Sequence, residues 1–339
     1  MDLHSKYLLI KNILNFTPDI IPTCSKKPTH YRNKAVFHFH TPIQNQHTSL
    51  IAIDIAQKLK GFANSINTNE FKFYGIMIKE NYLGHLMLKL LFYSNNSLLN
   101  YHNLIINHLL KNITKNITNN IDSISYQITN NVKKNPTKHD PYYHLYGSET
   151  IIEKYQINNQ SYYIHISPDA FSRINYYEAN NIYNKIFQLC HKTSQNNLIC
   201  LGRDVNIPSL IFNTFFNSTI CVTHCPLIYH DLLLNQYHKD IQLYLKEKKD
   251  TYLILEKALT TNTTIVTSAG TNGLHTSIIQ TINNSNYITQ IIYIACNIKS
   301  LKRDMDILLH SKYKIETVEI TDEFPNTLYT NIIISLIQK

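Results

Sequence analysis

The chain has 339 residues, with 32 Lys or Arg against 23 Asp or Glu, so its net charge is +9 when histidine is neutral. At roughly 100–200 residues per domain, this length predicts about two domains. The hydrophobic share of 43% excludes a chain that is disordered throughout. No apolar run approaches the roughly 20 residues that cross a bilayer, and no signal peptide is evident, so we expect a cytoplasmic protein that does not bind membranes.

The first half of the chain predicts a mixed α+β domain over residues 1–165. A short amphipathic helix is predicted within residues 1–20, ending at Pro18. Segments typical of antiparallel strands and of helices follow, and the polar stretch 131–140 predicts a loop. The strands are predicted at 36–39, 71–78 and 85–93, and the helices at 51–62 and 99–113.

The second half, residues 166–339, predicts a doubly wound α/β domain. After a helix at 180–189, helical stretches separate short runs of buried-strand character, which is typical of a parallel sheet covered on both faces. These runs lie at 198–201, 219–222, 264–267 and 291–294. The last two strands, 314–320 and 331–337, are joined by a link too short for a crossover helix, so we expect them to pair antiparallel. This arrangement is the one expected of the class I, Rossmann-like domain of S-adenosylmethionine (SAM) methyltransferases, although a fold alone does not determine function.

Cys296 is the residue with the clearest chemical potential. It follows a predicted strand at the edge where open α/β sheets bind ligands, and it precedes a helix start that lowers the pKa of a nearby thiol. Cys296 is therefore a candidate nucleophile. Its position alone favours a buried structural cysteine, because unoxidised cysteine is among the most buried residue types.

Four short motifs follow one another along the chain. They are Pro22 to Ser25 with Tyr-Arg-Asn-Lys at 31–34, Ser-Pro-Asp-Ala-Phe-Ser-Arg-Ile-Asn at 167–175, Ala-Cys-Asn at 295–297, and Phe-Pro-Asn-Thr at 324–327. In this order and spacing they resemble the RNA uracil-5-methyltransferase family, over nearly the whole chain. The resemblance implies a SAM-dependent enzyme that modifies uridine in tRNA or rRNA.

The resemblance also implies a covalent mechanism. Cys296 matches the family's nucleophile, a thiolate that adds to C6 of uracil so that C5 becomes able to take a methyl group. A base then removes the C5 proton and the thiol leaves. Asn331 occupies the position of that base, and its amide cannot accept a proton at neutral pH.

The residues that match the family's SAM site are Arg173, Gly202, His224 and Ser268. Arg173 replaces a glutamine, Gly202 is the single glycine of the first loop, and Thr223 or His224 stands where an acid that holds the ribose is expected. Ser268 begins the stretch that replaces the family's Asp-Pro-Pro-Arg. These changes leave two interpretations open: an active SAM-dependent methyltransferase, or a catalytically inactive RNA-binding or RNA-assembly protein that kept the fold.

The basic charge fits an RNA partner. Tyr31, Arg32 and Lys34 match the family's RNA-facing motif, and we expect them to face RNA and not the core. Further basic and aromatic residues that could hold phosphates and stack on bases are Lys26, Lys27, Lys133, Lys134, Lys138, Tyr142, Tyr143 and Tyr146. A solvated basic surface with no partner is the alternative.

The six cysteines are scattered, which is typical of a reducing compartment and not of a disulfide scaffold. Cys221, His224 and Cys225 have the spacing of half a zinc site, but no second pair of ligands accompanies them. We therefore expect neither a metal ion nor an iron–sulfur cluster. No feature indicates an obligate protein partner.

Overall fold

A computed structural model describes residues 3–14, 25, 28–43, 46–69, 71–94, 109–111, 113, 120–130, 142–191, 197–236, 240–327 and 329–339. The chain forms two compact units. The small unit comprises Thr29–Lys154 and Ile166–Pro168, and the large unit comprises Met1–Pro28, Tyr155–His165 and Asp169–Lys339. The sequence places a single boundary at residue 165, whereas in the structure the first helix belongs to the large unit.

The small unit is built on a five-stranded sheet in the order β1-β2-β3-β4-β5. Its strands are β1 (Lys34–His38), β2 (Phe71–Glu80), β3 (Leu86–Ser94), β4 (Ile121–Thr129) and β5 (Tyr142–Gly147). Neighbouring strands pair antiparallel except β3 and β4, which are parallel. Helix α2 (Leu50–Ile66) packs its apolar side against one face of this sheet. Ser49 caps the helix, because its hydroxyl accepts a hydrogen bond from the Ala52 N–H at 3.3 Å.

The three strands and the helix at 51–62 predicted for this region are confirmed. Strands β4 and β5 were not predicted from the sequence. Strand β4 carries Ser and Gln where an alternating apolar pattern would place hydrophobic residues. Most of the predicted helix at 99–113 and the whole of the predicted loop at 131–140 lie outside the described residues.

A hairpin of β6 (Ile151–Ile157) and β7 (Gln160–Ile166) forms a separate two-stranded sheet. Asn158 and Asn159 connect the strands with φ values of 49° and 61°. Both angles are left-handed, as a two-residue turn of type I′ requires, and asparagine tolerates this conformation better than most residues. The Asn-Asn pair was thus a local signal for a hairpin that the sequence analysis did not use.

The large unit contains a sheet in the order β10-β9-β8-β11-β12-β14-β13. Its strands are β8 (Asn197–Gly202), β9 (Thr219–Thr223), β10 (Ile241–Leu245), β11 (Thr263–Ser268), β12 (Ile288–Ala295), β13 (Tyr313–Thr321) and β14 (Asn331–Gln338). Strands β8 to β12 are parallel, and β14 runs antiparallel to both β12 and β13. The predicted parallel strands and the predicted antiparallel closing pair are confirmed; the half-exposed edge strand β10 was missed.

Helices cover both faces of this sheet, as the sequence predicts. They are α1 (Leu3–Leu14), α3 (Tyr176–His191), α4 (Asn206–Phe212), α5 (Pro226–Asn235), α6 (Thr251–Ala258), α7 (Thr276–Asn284) and α8 (Ile298–His310). Helices α1, α6, α7 and α8 pack over the face that carries Ile199 and Ile291, both at most 1% exposed. Helices α3, α4 and α5 pack over the other face. Within the described ranges, no helix has the length and apolar character needed to cross a bilayer.

Candidate active site

Cys296 lies directly after β12, at the carboxyl edge of the parallel sheet. The next residue, Asn297, caps helix α8: its side-chain oxygen accepts a hydrogen bond from the Lys299 N–H at 2.9 Å. The Asn297 amide also donates to the Thr271 carbonyl oxygen at 2.9 Å, which fixes the loop around the thiol. Cys296 is half-buried, in contrast to the fully buried Cys200 and its neighbours in the sheet. Its thiol is thus held in place and still partly open.

Burial raises the pKa of the Cys296 thiol above its ordinary value. The negative charge of Glu323 raises it further, and the positive charge of Arg173 acts in the opposite direction. Together these effects favour the protonated thiol over the thiolate. Forming the thiolate, which is the nucleophilic species, requires a group that takes the proton away.

Asn331 lies on the strand next to Cys296. The register of β12 and β14 pairs Ala295 with Ile332, so the residue after Ala295 meets the residue before Ile332. Asn331 is only 2% exposed, and its side-chain amide donates to the Thr321 hydroxyl at 3.4 Å. The position that the sequence identifies with a base is therefore close to the thiol and filled by a buried amide.

Arg173 forms a buried ion-pair cluster with Asp204 and Glu323. Its two terminal nitrogens donate to Glu323 Oε2 at 2.6 Å and to Asp204 Oδ2 at 2.5 Å, and the Tyr183 hydroxyl donates to Asp204 Oδ1 at 2.5 Å. Each of the three charged side chains is 4% exposed. Burial alone would lower the pKa of Arg173, but the carboxylates of Asp204 and Glu323 outweigh it and raise the pKa.

Glu323 is the acid of this cluster that acts on Cys296. Burial raises the pKa of its carboxyl group, the Arg173 charge acts against that rise, and the nearby Asp204 and Glu178 carboxylates add to it. The Asn175 amide donates to the Glu323 backbone oxygen at 3.1 Å and fixes the segment. Glu323 was not among the site residues predicted from the sequence, although it directly precedes the Phe-Pro-Asn-Thr motif.

Gly202 and Ser268 lie side by side at the ends of β8 and β11. The φ angle of Gly202 is 116°, and a Cβ atom placed there would lie 2.3 Å from the Ser268 backbone oxygen. Only glycine permits so close an approach of the two strands in that conformation. This close contact lies at the carboxyl edge of the two neighbouring strands at the centre of the sheet.

A cavity of about 380 Å³, including space open to solvent, lies over this edge of the sheet. Its walls come from the carboxyl ends of β8, β9 and β11, from the segments that follow β9, β10 and β11, and from helix α7. The lining residues are Leu201, Gly202, Val222, His224, Lys248, Thr251, Thr267, Ser268, Ala269, Gly273, Leu274, His275 and Ile278. Three residues of the predicted SAM site thus meet in one cavity: Gly202, His224 and Ser268. Arg173 does not line it.

The polar groups of the cavity show what kind of ligand fits. No lining residue is an acid, and His224 Nε2 accepts a hydrogen bond from Arg203 Nε at 3.2 Å. The Thr267 hydroxyl is buried without a hydrogen-bond partner among the described residues. A ligand with its own donors and acceptors would satisfy such groups, whereas an apolar one would not.

Cys221 is fully buried on β9, and Cys225 is the residue that directly precedes helix α5. In the part of the chain that the structure describes, no group of three or more His, Cys, Asp or Glu side chains could hold a metal ion.

The Tyr31-Arg32-Asn33-Lys34 motif lies in the small unit. The expectation that Tyr31 lies outside the core is wrong: the side chain is 2% exposed and packs against the His47 ring, with 5.5 Å between ring centres. Arg32 and Lys34 are partly exposed, and Lys34 Nζ donates to the Pro168 backbone oxygen at 2.8 Å. Tyr142, Tyr143 and Tyr146 are 41–47% exposed. The other expected RNA contacts, Lys26, Lys27, Lys133, Lys134 and Lys138, lie outside the described residues.

No family model matches the chain. The crystal structure of the Pyrococcus abyssi tRNA (uracil-54, C5)-methyltransferase in complex with S-adenosyl-L-homocysteine matches 99% of the chain and 82% of its own length, with a TM-score of 0.70 and 17% identity. The fold is therefore that of class I, Rossmann-like SAM-dependent methyltransferases, together with the α+β unit that precedes the sheet.

A mimivirus protein also resembles the chain in sequence. The protein named "Putative RNA methyltransferase R405", from Acanthamoeba polyphaga mimivirus, is 28% identical over 193 residues. The match covers 52% of this chain and 48% of that protein, so the chain spans about half the length of the curated relative it matches.

Proposed function

We propose that the protein is a SAM-dependent RNA methyltransferase that methylates C5 of a uridine in tRNA or rRNA through a covalent adduct with Cys296. The observation that carries the proposal is the placement of a half-buried thiol at the carboxyl edge of this fold, directly before the residue that caps helix α8. The names of the mimivirus relative and of the Pyrococcus abyssi structure support the same reaction class.

The cavity at the ends of β8, β9 and β11 is the proposed SAM site, and SAM would supply an electrophilic methyl group there. Gly202 would let the ligand approach the backbone closely, and the Thr267 hydroxyl would gain a partner. His224 would take the place of the acid that commonly holds a ribose. Its Nε2 already accepts a hydrogen bond from Arg203, so the imidazole, in contrast to a carboxylate, has no second acceptor atom for the ribose hydroxyls.

Cys296 would attack C6 of the uracil ring as the thiolate. Its partial burial excludes bulk water from the bond that forms, while its exposed part leaves room for a planar base. Asn297 and Thr271 hold the loop, so the thiol is positioned before the substrate arrives.

RNA would be held partly by the small unit. Arg32 is fixed through its backbone, which donates to the His47 oxygen at 2.7 Å and accepts from the Ser49 N–H at 3.1 Å. A guanidinium on a fixed backbone is well suited to a phosphate group. The exposed tyrosines of β5 could stack on unpaired bases.

A second candidate function is an inactive RNA-binding protein with the same fold. The observation that favours it is the buried amide of Asn331 in the position of a base, together with the lack of an acid among the cavity residues.

The test uses a tRNA transcript and an rRNA transcript in which 5-fluorouridine replaces uridine. Fluorine at C5 cannot leave as a proton, so with SAM present the proposed enzyme stops at a stable protein–RNA adduct, detected on a denaturing gel. Cys296→Ser should abolish the adduct. Cys225→Ser, which changes the other half-buried cysteine among the described residues, should leave it unchanged.

No adduct with either RNA, or an adduct that survives Cys296→Ser, would contradict the proposal. RNA binding with no adduct and no heat of SAM binding in calorimetry would instead support the inactive candidate.

A further inference from the structure

Methylation at C5 releases one proton for every methyl group that is added, so the proposed reaction needs a proton acceptor near Cys296. Asn331, the residue beside the thiol on the neighbouring strand, has a side-chain amide that cannot take this role. The acceptor must therefore be another group within reach of the same edge of the sheet.

In three acids of this region, both carboxylate oxygens already accept hydrogen bonds and are not available to accept the C5 proton. Both oxygens of Asp204 accept hydrogen bonds, from Arg173 and from Tyr183. Asp322 accepts from Lys6 and from the Ser25 N–H. Asp304, on helix α8, accepts from the Tyr293 hydroxyl, the Leu274 N–H and Arg303.

Glu323 differs from these acids in two ways. Arg173 occupies Oε2 only, and no described residue donates a hydrogen bond to Oε1. This glutamate also follows the end of β13 by two residues, where Thr321 pairs with Asn331, the residue beside Cys296 on β14. Its charge acts on the Cys296 thiol as well. Glu323 therefore combines an available acceptor oxygen with the right location.

The charges of the cluster also favour proton uptake. With Arg173 positive and both Asp204 and Glu323 negative, the buried group carries one net negative charge. Burial and the neighbouring carboxylates raise the pKa of Glu323, and Arg173 limits that rise. Such a carboxyl group takes up a proton more readily than an exposed one and remains able to release it.

We infer that Glu323 is the catalytic base of this site, an inference that rests on the proposed function. Its Oε1 accepts the C5 proton of the methylated adduct. The electron pair of the C5–H bond forms the C5–C6 double bond, and the C6–S bond breaks with its pair returning to Cys296 as the thiolate. Glu323 then gives its proton to water.

Arg173 acquires a positioning role in this scheme. By holding Oε2 at 2.6 Å it orients the carboxyl group, and Asp204 and Tyr183 hold Arg173 in turn. An arginine at this position, where the related family has a glutamine, is explained by the acid it binds.

The test compares wild-type protein with Glu323→Gln, which keeps the shape of the side chain and its contact with Arg173. With SAM and ordinary uridine RNA, the variant should accumulate a covalent protein–RNA adduct and release methylated RNA about 10²–10⁴-fold more slowly. With 5-fluorouridine RNA, where no proton leaves C5, it should form the adduct as the wild type does. Asn331→Glu in the Glu323→Gln background should restore release in part, because it returns a carboxyl group to the neighbouring strand.

A second measurement needs neither SAM nor RNA. The pH dependence of Cys296 alkylation by iodoacetamide reports the pKa of the thiol, and Glu323→Gln should lower that pKa because a negative charge beside the sulfur is lost. Glu319→Gln is the matched control: Glu319 is also buried and ion-paired, with Lys185, but its charge does not act on Cys296. It should leave the alkylation profile unchanged.

Release of product by Glu323→Gln at the wild-type rate, with the fluorinated adduct still dependent on Cys296, would overturn the inference and leave the proposed function intact. Failure of the wild type to form the fluorinated adduct would overturn the proposed function itself. If Glu323→Gln does not fold, Glu323→Asp tests the same step. It keeps the charge beside Arg173, withdraws the carboxyl group by one methylene, and should slow release without changing adduct formation; normal release would count against the base.

Discussion

At the residue scale, Gly202 is a cavity residue whose position leaves no room for a side chain. Replacing it with alanine would place a Cβ atom 2.3 Å from the Ser268 oxygen in a left-handed conformation that alanine avoids. Gly202→Ala should lower the free energy of unfolding by about 2 kcal/mol or more. It should also weaken SAM binding at least tenfold, because β8 must shift away from β11.

The control for this prediction is Gly61→Ala. Gly61 lies on the exposed side of α2, and nothing lies within 4 Å of the Cβ position. That change should stabilise the protein by about 0.5–1 kcal/mol, because alanine is the better helix former. Urea denaturation measures the stabilities and calorimetry the binding. A Gly202→Ala protein as stable as the wild type would contradict the close approach described for these strands.

The sequence could predict site residues that depend on local pattern and not those that depend on distant packing. The placement of a cysteine at the end of a buried strand follows from the strand pattern, and the glycine of the first loop follows from the resemblance to a known family; both lie at the carboxyl edge. Glu323 could not be found that way, because its partner Arg173 is 150 residues away. Tyr31 was misjudged since a tyrosine in a basic motif is as compatible with packing against His47 as with stacking on RNA.

At the element scale, chain connectivity made the closing pair predictable. The link between β13 and β14 is too short for a crossover helix, which leaves only antiparallel pairing. Strand β10 has no comparable constraint: it lies at the edge of the sheet, and its residues are half-exposed, so its pattern is weak. Edge strands have a weaker pattern of apolar residues than central strands, because one side of the strand has no neighbouring strand and stays partly exposed.

Helix α1 is held to the rest of the large unit by a buried ion pair. Lys6 has no exposed surface; its ammonium group donates to Asp322 Oδ1 at 3.4 Å and to the Phe324 backbone oxygen at 3.0 Å. Lys6→Met should lower the free energy of unfolding by about 3 kcal/mol, since Asp322 keeps a buried charge without its partner.

Lys11→Met is the matched control, because Lys11 lies on the exposed side of the same helix. It should change stability by less than about 0.5 kcal/mol. Asp322→Asn added to Lys6→Met should recover part of the loss, as removal of the second charge ends the imbalance. Equal denaturation midpoints for the Lys6 and Lys11 variants would contradict a structural role for the pair.

At the scale of the whole molecule, a net charge of +9 predicts RNA binding that weakens as salt increases. Arg32→Ala with Lys34→Ala should lower the affinity for RNA and reduce the slope of log K against log salt by about 1.4–1.8, since each phosphate contact contributes about 0.7–0.9. Binding measured by fluorescence anisotropy over a salt series gives both quantities.

The control removes the same charge from the same unit. Lys58 and Lys60 lie on α2, where Lys58 pairs with Asp54 and Lys60 donates to the Thr41 oxygen. Lys58→Ala with Lys60→Ala should leave the slope near that of the wild type. Identical slopes for the two double variants would show that Arg32 and Lys34 act only through overall charge.

The contact between Lys6 and Asp322 also determines how early helix α1 can pack in place during synthesis of the chain. These residues are 316 positions apart, so at a synthesis rate of roughly 5–20 residues per second Asp322 is made about 15 to 60 s after Lys6. During that interval burial of the Lys6 ammonium group is unfavourable, because the Asp322 carboxylate is not yet present to pair with it. Helix α1 therefore cannot pack against the rest of the large unit as it does in the folded protein. The segment that holds Glu323 is made at the same stage. Docking of α1 and assembly of the Glu323 site therefore cannot precede the synthesis of residues 322 and 323, and a ribosome stalled before residue 322 carries a chain in which neither has taken place.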